Sequence, residues 1–205
     1  MTKLSRKEKE QIIRKADILA TAERLFATKG FFKTTMMEIA KQSEFPIATI
    51  YHFFKSKEEI YFKLIEERAG RLFENLRRAA SQAATSVEKI KEIIRTELRF
   101  FEDQKDFFKI FVTERSGFEW TVKEDLGKKI NRMYLTYINF IQRIIDQGVK
   151  GGEFKELNSR DMANALTGAI NATIFQWILN PEGKSLMDKE DTLLAIIFKG
   201  LERKN

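Results

Sequence analysis

Hydrophobic residues recur every three or four positions along most of the chain, which is the spacing of an α-helix with one buried face. The first helix is predicted from Ser5, which has capping-box spacing with Glu8, to Gly30. Its apolar positions are Ile12, Ala16, Leu19, Ala22, Leu25 and Phe26. This segment therefore predicts a long amphipathic helix at the N-terminus.

Two short helices follow. Thr35 and Glu38 form a second capping box, and the helix they open is predicted to fade at residues 43–45. Pro46 is tolerated in the first turn of a helix, because its missing N–H would be unpaired there, and it predicts another helix to about Phe54. The two helices are expected to meet at a tight turn.

Helices also fill the rest of the chain. Ser56 and Glu59 are predicted to cap a long helix that reaches about Ala80. Further helices are predicted at 87–101, 107–114, 122–147, 160–179 and 188–202, with a loop at 116–121. Gly148 is expected to end the helix before it, and Asn158 and Ser159 to cap the next one. The predicted fold class is all-α.

Composition excludes several kinds of chemistry. The 205 residues include no cysteine and a single histidine, which excludes disulfides, thiolate zinc and a multi-histidine metal site. No apolar run approaches the roughly 18 residues of a membrane span, and the N-terminus is charged. We therefore expect a cytoplasmic protein that contacts no membrane and uses neither a metal nor a cofactor.

The net charge of +7 is unevenly distributed. Residues 1–60 hold 12 Lys+Arg against 8 Asp+Glu, so more than half of the excess lies in the first third of the chain. A basic excess attracts polyphosphates, although many proteins are mildly basic. The charge favours a nucleic-acid partner without establishing it.

The first three helices have the order of a tri-helical DNA-binding motif, whose second short helix enters the major groove. Ile50 and Phe54 lie four residues apart and can bury together against Ile39 and Phe26. The residues that this burial turns outward are Ile47, Ala48, Thr49, Tyr51 and His52. Double-stranded operator DNA is therefore the predicted partner of this face.

Residues 22–60 resemble the TetR family of transcriptional regulators. The resemblance is carried by Ala22, Leu25, Phe26, Gly30, Thr35, Ile39, Ala40 and residues 48–51 and 54–60. It implies a three-helix DNA-binding domain with a helix-turn-helix at 1–55, and a helical ligand-binding and dimerisation domain at 56–205. It also marks Thr35, Thr49, Tyr51 and Lys57 as DNA contacts.

The full set of predicted DNA contacts is Thr35, Ile47, Ala48, Thr49, Tyr51, His52 and Lys57. Thr49 can reach a base edge or a phosphate, Ile47 and Ala48 can meet thymine methyls, and Tyr51 and His52 can donate to phosphate. The alternative is that Tyr51 and His52 are ordinary surface residues that do not contact DNA.

Two features of this segment depart from the family pattern or from common base readout. Glu44 replaces a glycine that the family usually has in the turn, so a left-handed residue there would be strained. The outward face also has no Arg, Asn or Gln for bidentate base readout. Methyl contacts, DNA shape and the basic residues Lys3, Arg6 and Lys7 are expected to add specificity, unless those basic residues are only a solvated helix start.

Aromatic residues are dense between positions 100 and 140, and the resemblance implies that some of them line a cavity for a small apolar ligand. The predicted lining is Phe101, Phe108, Phe111, Tyr134, Tyr137, Asn171 and Phe175, with Gln176 as a further polar candidate. The alternative is that these side chains are close-packed core.

The last two helices carry small residues, including Gly168, Ala169 and Ala172, and a repeating apolar face through Leu194 and Ile197. Such helices can pair with their symmetry mates in a four-helix bundle. The resemblance implies that they form the interface of a homodimer. Packing within one subunit is the alternative.

These features predict a ligand-responsive transcriptional regulator, a repressor released from a palindromic operator by a small apolar effector. The alternative, from a different functional class, is an enzyme that acts on an apolar substrate in the aromatic cavity. No Ser/His/Asp set or metal cluster supports it, so we expect a protein that is not an enzyme. A non-specific architectural DNA binder is a third hypothesis.

Overall fold

The computed structural model describes residues 4–105, 107–108, 124–180 and 183–201, and their regular structure is helical, as predicted. The helices are α1 (Arg6–Lys29), α2 (Met36–Gln42), α3 (Ile47–Phe53), α4 (Lys57–Gln82), α5 (Ser86–Asp103), α6 (Glu124–Lys150), α7 (Ser159–Leu179) and α8 (Glu190–Leu201). A 3-10 turn, Leu186–Lys189, leads into α8. The predicted helix at 107–114 lies outside the described residues beyond Phe108, and so does the loop at 116–121.

Helix ends follow the local sequence. The predicted capping boxes are present at Ser5 and Thr35, where each side chain accepts from the amide three residues on and the Glu at that position bonds back. Gly30 ends α1 with a φ of 85°, a conformation that side chains rarely adopt. Asn158 caps α7 by accepting from the amides of Arg160 and Asp161, also as predicted.

The predictions made for Pro46 and for Gly148 were wrong. Pro46 is the N-cap of α3 and does not lie inside its first turn. Gly148 does not end α6, which continues to Lys150. A Cβ at position 148 would lie 2.3 Å from the Phe154 ring and 2.8 Å from the Ser86 Cβ, so this glycine lets α6 pack closely against Phe154 and the start of α5.

The chain divides into two compact units, Met1–Arg68 and Ala69–Asn205. The division falls inside α4, whereas the boundary predicted from the sequence, between residues 55 and 56, lies just before that helix. Residues 57–68 of α4 therefore belong to the N-terminal unit, and α4 contributes side chains to both cores, with Ile60 and Leu64 in the first and Leu76 and Ala80 in the second.

The core of the N-terminal unit is aromatic at its centre. Phe26, Phe31 and Tyr61 lie with ring centroids 5.1 to 5.9 Å apart, in tilted or edge-on arrangements. Ile39, Ile50 and Phe54 are also buried, as predicted. A salt bridge of 2.5 Å joins Arg68 on α4 to Glu23 on α1, and both side chains are partly buried.

The C-terminal unit is a layered helical core. Its buried side chains come from α4 through α8 and include Ile93, Ile94, Leu98, Ile138, Ile141, Ile145, Leu166, Ile170, Ile174, Leu193 and Ile197. Glu153 accepts hydrogen bonds from the amides of Ser86 and Val87 and thereby satisfies two of the free N–H groups at the start of α5. Of the helices in the described ranges, none offers an apolar stretch that could cross a membrane.

Candidate DNA-binding and ligand-binding sites

The turn between α2 and α3 contains a strained residue. Glu44 has a φ of 58°, so it keeps the left-handed conformation that a glycine would adopt more easily at this position. This conformation costs about 1 kcal/mol for an L-residue. The turn also closes through a hydrogen bond of 3.2 Å from the Phe45 amide to the Ala40 carbonyl. The strained backbone at Glu44 therefore sets the angle between α2 and α3.

Helix α3 has a buried side and an outward side. Ile50 is fully buried and Phe54, just after the helix, is 2% exposed, whereas Tyr51 is 53% exposed and Ile47 is 37% exposed. Ala48 and His52 are exposed and Thr49 is half-buried. The residues predicted to face DNA are therefore gathered on the solvent side of one helix.

Thr35 is exposed, but its hydroxyl already has partners. It accepts from the Glu38 amide at 3.2 Å and donates to the Glu38 carboxylate at the same distance. Lys29 bonds that carboxylate at 2.7 Å and, with the Thr35 amide, holds the pKa of Glu38 below its usual value. The start of α2 is thus fixed by a small charged network at the surface.

Lys57 has an intramolecular role that the sequence did not suggest. Its ammonium donates to the carbonyls of Phe31, Phe32 and Thr34 at 2.9, 3.1 and 3.0 Å, and it lies 4.5 Å from the centroid of the Phe31 ring. These bonds use all three of its hydrogens, so Lys57 can offer a phosphate its charge but no free hydrogen-bond donor. They also tie α4 to the segment between α1 and α2.

The basic residues at the N-terminus are partly described. Arg6 is exposed and pairs with Glu10 one turn later at 3.2 Å, an interaction of small energetic value on a surface. Lys7 is exposed as well, and Lys3 lies outside the described residues. Their contribution to DNA binding stays a prediction.

Some of the predicted ligand-lining residues come together. Phe101 and Phe108 stack with ring centroids 4.0 Å apart, and Phe100 lies 6.1 Å from each of them. Phe101, Phe108 and Tyr137 are half-buried and pack against the C-terminal core. Phe111 lies outside the described residues.

Other predicted lining residues do not join this group. Tyr134 is 44% exposed, and Asn171 lies on the exposed side of α7 together with Gln176. The reason is helical phase, since Ile170 and Ile174 occupy the buried side of α7 and position 171 is rotated away from it. Asn171 is therefore not placed to orient a ligand inside the subunit. Phe175 is half-buried on the same helix.

The sequence reasoning missed Glu97, which is 4% exposed in the middle of α5. Burial raises the pKa of its carboxyl to about 7, and the nearby Tyr137 hydroxyl opposes that shift. Glu97 Oε2 and Tyr137 Oη are both buried without a hydrogen-bond partner among the described residues. The sequence feature that could have identified Glu97 is its position, as a charged residue, within the apolar stripe of Ile90, Ile93, Ile94 and Leu98.

Helix α3 follows the short helix α2 after a tight turn and is anchored by its inner side chains. This arrangement defines a helix-turn-helix DNA-binding protein. The family model described as bacterial regulatory proteins, tetR family, matches residues 18–64. The model described as the C-terminal region of YsiA-like protein matches residues 65–200. The chain belongs to the TetR family and is a ligand-responsive, DNA-binding transcriptional regulator.

Individual relatives agree with this assignment. The chain is 27% identical to the fatty acid metabolism regulator protein of Bacillus subtilis over 91% of this chain and 95% of the relative. It is 25% identical to the transcriptional regulator QacR of Staphylococcus aureus over 78% and 85%. The solved structure of Bacillus subtilis FadR in complex with stearoyl-CoA matches with a TM-score of 0.79 and 26% identity, over 89% of this chain and 96% of that one.

The contacts of Lys57 generate a test of the N-terminal unit. We expect Lys57→Met to lower the free energy of unfolding by about 1–3 kcal/mol, because three carbonyls lose a charged donor while the aliphatic stem remains. Urea denaturation of the full-length protein measures this. Lys55→Met is the matched control, since it removes the same charge from an exposed lysine two residues earlier. Equal stabilities for the two variants would show that the bonds to the carbonyls contribute nothing.

Proposed function

We propose that this protein is a dimeric repressor that binds a palindromic operator in the cytoplasm and is released from it by a fatty acyl effector. The observation that carries the proposal is the two-sided geometry of α3, with Ile50 buried and Ile47, Ala48, Tyr51 and His52 on the solvent side. A helix held in this way can enter the major groove without losing its packing.

Specific roles follow for the outward residues. Ile47 and Ala48 contact thymine methyls, and Thr49 reaches a base edge or a phosphate near the start of α3. Tyr51 and His52 donate to phosphates, and Lys57 adds a charge at the flank. Thr35 donates to a phosphate by turning its hydroxyl away from the Glu38 carboxylate. Because no side chain on this face makes a bidentate base contact, sequence preference depends on methyl contacts and on DNA shape.

The phosphate role of Tyr51 can be tested with an operator selected from random duplex DNA. We expect Tyr51→Phe to weaken operator binding roughly tenfold, the value of a hydrogen bond to a charged group. The salt dependence should stay unchanged, since no charge is lost. Fluorescence anisotropy measures both, and Tyr134→Phe is the control because Tyr134 is also exposed but lies on α6. Wild-type affinity of Tyr51→Phe would remove Tyr51 from the interface.

The homodimer is supported by the exposed side of α7. Ala165, Gly168 and Ala172 recur at helical spacing on that side, and Leu179 is 45% exposed at its end. Nothing lies within 4 Å of a Cβ built at Gly168. Ile196 on α8 is 66% exposed. Small and apolar residues on the surface of two helices suit close pairing with a second copy of the chain.

A single arginine tests this interface. We expect Ala172→Arg to give monomers, because it places a long charged side chain in a close helix crossing while Ala172 itself is exposed in the subunit. Ala169 is a poorer choice because it packs against the core. Analytical ultracentrifugation measures the mass, with Asn131→Arg on the exposed side of α6 as the control. An intact Ala172→Arg dimer would place the interface elsewhere.

The fatty acyl effector rests on two observations. The half-buried stack of Phe101 and Phe108 offers apolar surface beside the C-terminal core. A relative that matches most of this chain, Bacillus subtilis FadR, was solved in complex with stearoyl-CoA. Burial of an acyl chain at roughly 25 cal/mol per Å2 can supply micromolar binding after the costs of association.

Effector action requires unequal affinity for the free and DNA-bound states. We expect stearoyl-CoA to release the selected operator and to bind the operator complex about 5-fold to 150-fold more weakly than the free protein, the usual range of coupling between sites. Calorimetry with and without operator measures the ratio, and coenzyme A without an acyl chain is the control. Equal affinity for both states would exclude stearoyl-CoA as an effector.

A further inference from the structure

The C-terminal unit contains a polar pair that its fold does not explain. Glu97 on α5 and Tyr137 on α6 each bury an oxygen without a hydrogen-bond partner among the described residues. An unpaired buried polar group costs free energy, so most such groups in proteins are satisfied. The two groups lie close enough to shift each other's pKa, but neither buried oxygen has a well-formed hydrogen bond among the described residues, so the pair can take up a further polar group.

The surroundings of the pair are apolar. Ile93, Ile94 and Leu98 flank Glu97 on α5, and Ile138 and Ile141 follow Tyr137 on α6; all five are fully buried. From α7, Thr167 is near the pair, and because its hydroxyl donates to the Ala163 carbonyl at 2.8 Å it can only accept from Tyr137. A ligand group that joins the pair would therefore place its polar atom in otherwise apolar surroundings.

No cation balances Glu97 in the part of the chain that the structure describes. The ionisable groups that act on the pair are Glu97, Tyr137 and Tyr134, and all of them are acids. Burial raises the pKa of the Glu97 carboxyl to about 7, and it raises the pKa of the Tyr137 phenol well above its ordinary value. Below about pH 7 the Glu97 carboxyl is mostly protonated, so the pair then carries two O–H groups.

We propose that Glu97, in its protonated form, and Tyr137 are the polar anchor of the effector site, where both donate to a carbonyl oxygen of an otherwise apolar ligand. The aromatic stack begins one helical turn from Glu97, at Phe101, so an apolar chain lying along that stack can bring a carbonyl to the pair. The chemical class is a neutral ester, thioester or ketone. This inference rests on the proposed acyl effector and names the atoms that select it.

The anchor has a characteristic pH dependence. A carbonyl oxygen can only accept, so it binds the protonated acid and raises the pKa of Glu97 further in the complex. Affinity is then constant well below pH 7 and falls as the pH rises above 7. A cationic ligand would give the opposite sign, because it would bind the ionised carboxylate and gain affinity as the pH rises.

The experiment compares two probes, stearoyl-CoA and its S-octadecyl thioether, which lacks only the carbonyl. Calorimetry from pH 6 to pH 8.5 gives the affinity ratio of the two probes, in which the titration of the shared phosphates cancels. For the wild type we expect the thioester to be favoured at pH 6 and this preference to shrink by up to about 30-fold at pH 8.5, as the acid ionises.

Three variants separate the anchor from a structural role. Glu97→Gln keeps a donor that cannot titrate, so its preference for the thioester should persist at every pH. Tyr137→Phe should reduce the preference at pH 6 while keeping the pH dependence. Glu74→Gln, an exposed acid of the same unit, should behave as the wild type. Circular dichroism at each pH confirms that every sample is folded.

The outcomes distinguish this inference from the proposed function. Equal binding of the two probes at every pH, or a preference that grows with pH, overturns the anchor while an acyl effector remains. The same pH dependence in Glu97→Gln as in the wild type also overturns it. If neither probe binds or releases the operator, the proposed acyl effector fails and the anchor fails with it.

Discussion

The helix-turn-helix of this molecule depends on the burial of Ile50 and Phe54. Helix α3 has seven residues, and a helix of that length is unstable in isolation because nucleation costs more than its few hydrogen bonds return. Its conformation is therefore maintained by packing against the N-terminal core. Because those two side chains fix the inner face, they also decide which residues face outward.

Polar contacts add to the packing of the core in positioning the N-terminal helices. Lys57 joins the start of α4 to three carbonyls of the segment between α1 and α2, and the strained Glu44 sets the angle between α2 and α3. Strained residues persist where the surrounding structure determines their conformation, which is the situation in a turn held by buried neighbours on both sides. The position of the outward face is thus set by a few contacts distributed over all four N-terminal helices.

The sequence predicted the parts of the structure that depend on local pattern. Helical periodicity, capping boxes at Ser5 and Thr35, and the four-residue spacing of Ile50 and Phe54 are local, and the structure confirmed them. The role of Gly148 was missed because it depends on Phe154 and Ser86, which only the folded chain brings together. The three carbonyl partners of Lys57 were missed because they lie 23 to 26 positions away along the chain.

Asn171 and Glu97 show the same limit for the candidate ligand site. Both are polar residues in amphipathic helices. Asn171 was predicted to lie on an apolar face, whereas the helical phase exposes Asn171 and buries Glu97. The distinction lies in which side of each helix the neighbouring isoleucines occupy. Burial among isoleucines disfavours the ionised form of Glu97, and the titratable groups that act on it in the described part of the chain are acids. Folding therefore favours the protonated carboxyl, which couples the stability of the C-terminal core to the protonation state of one side chain.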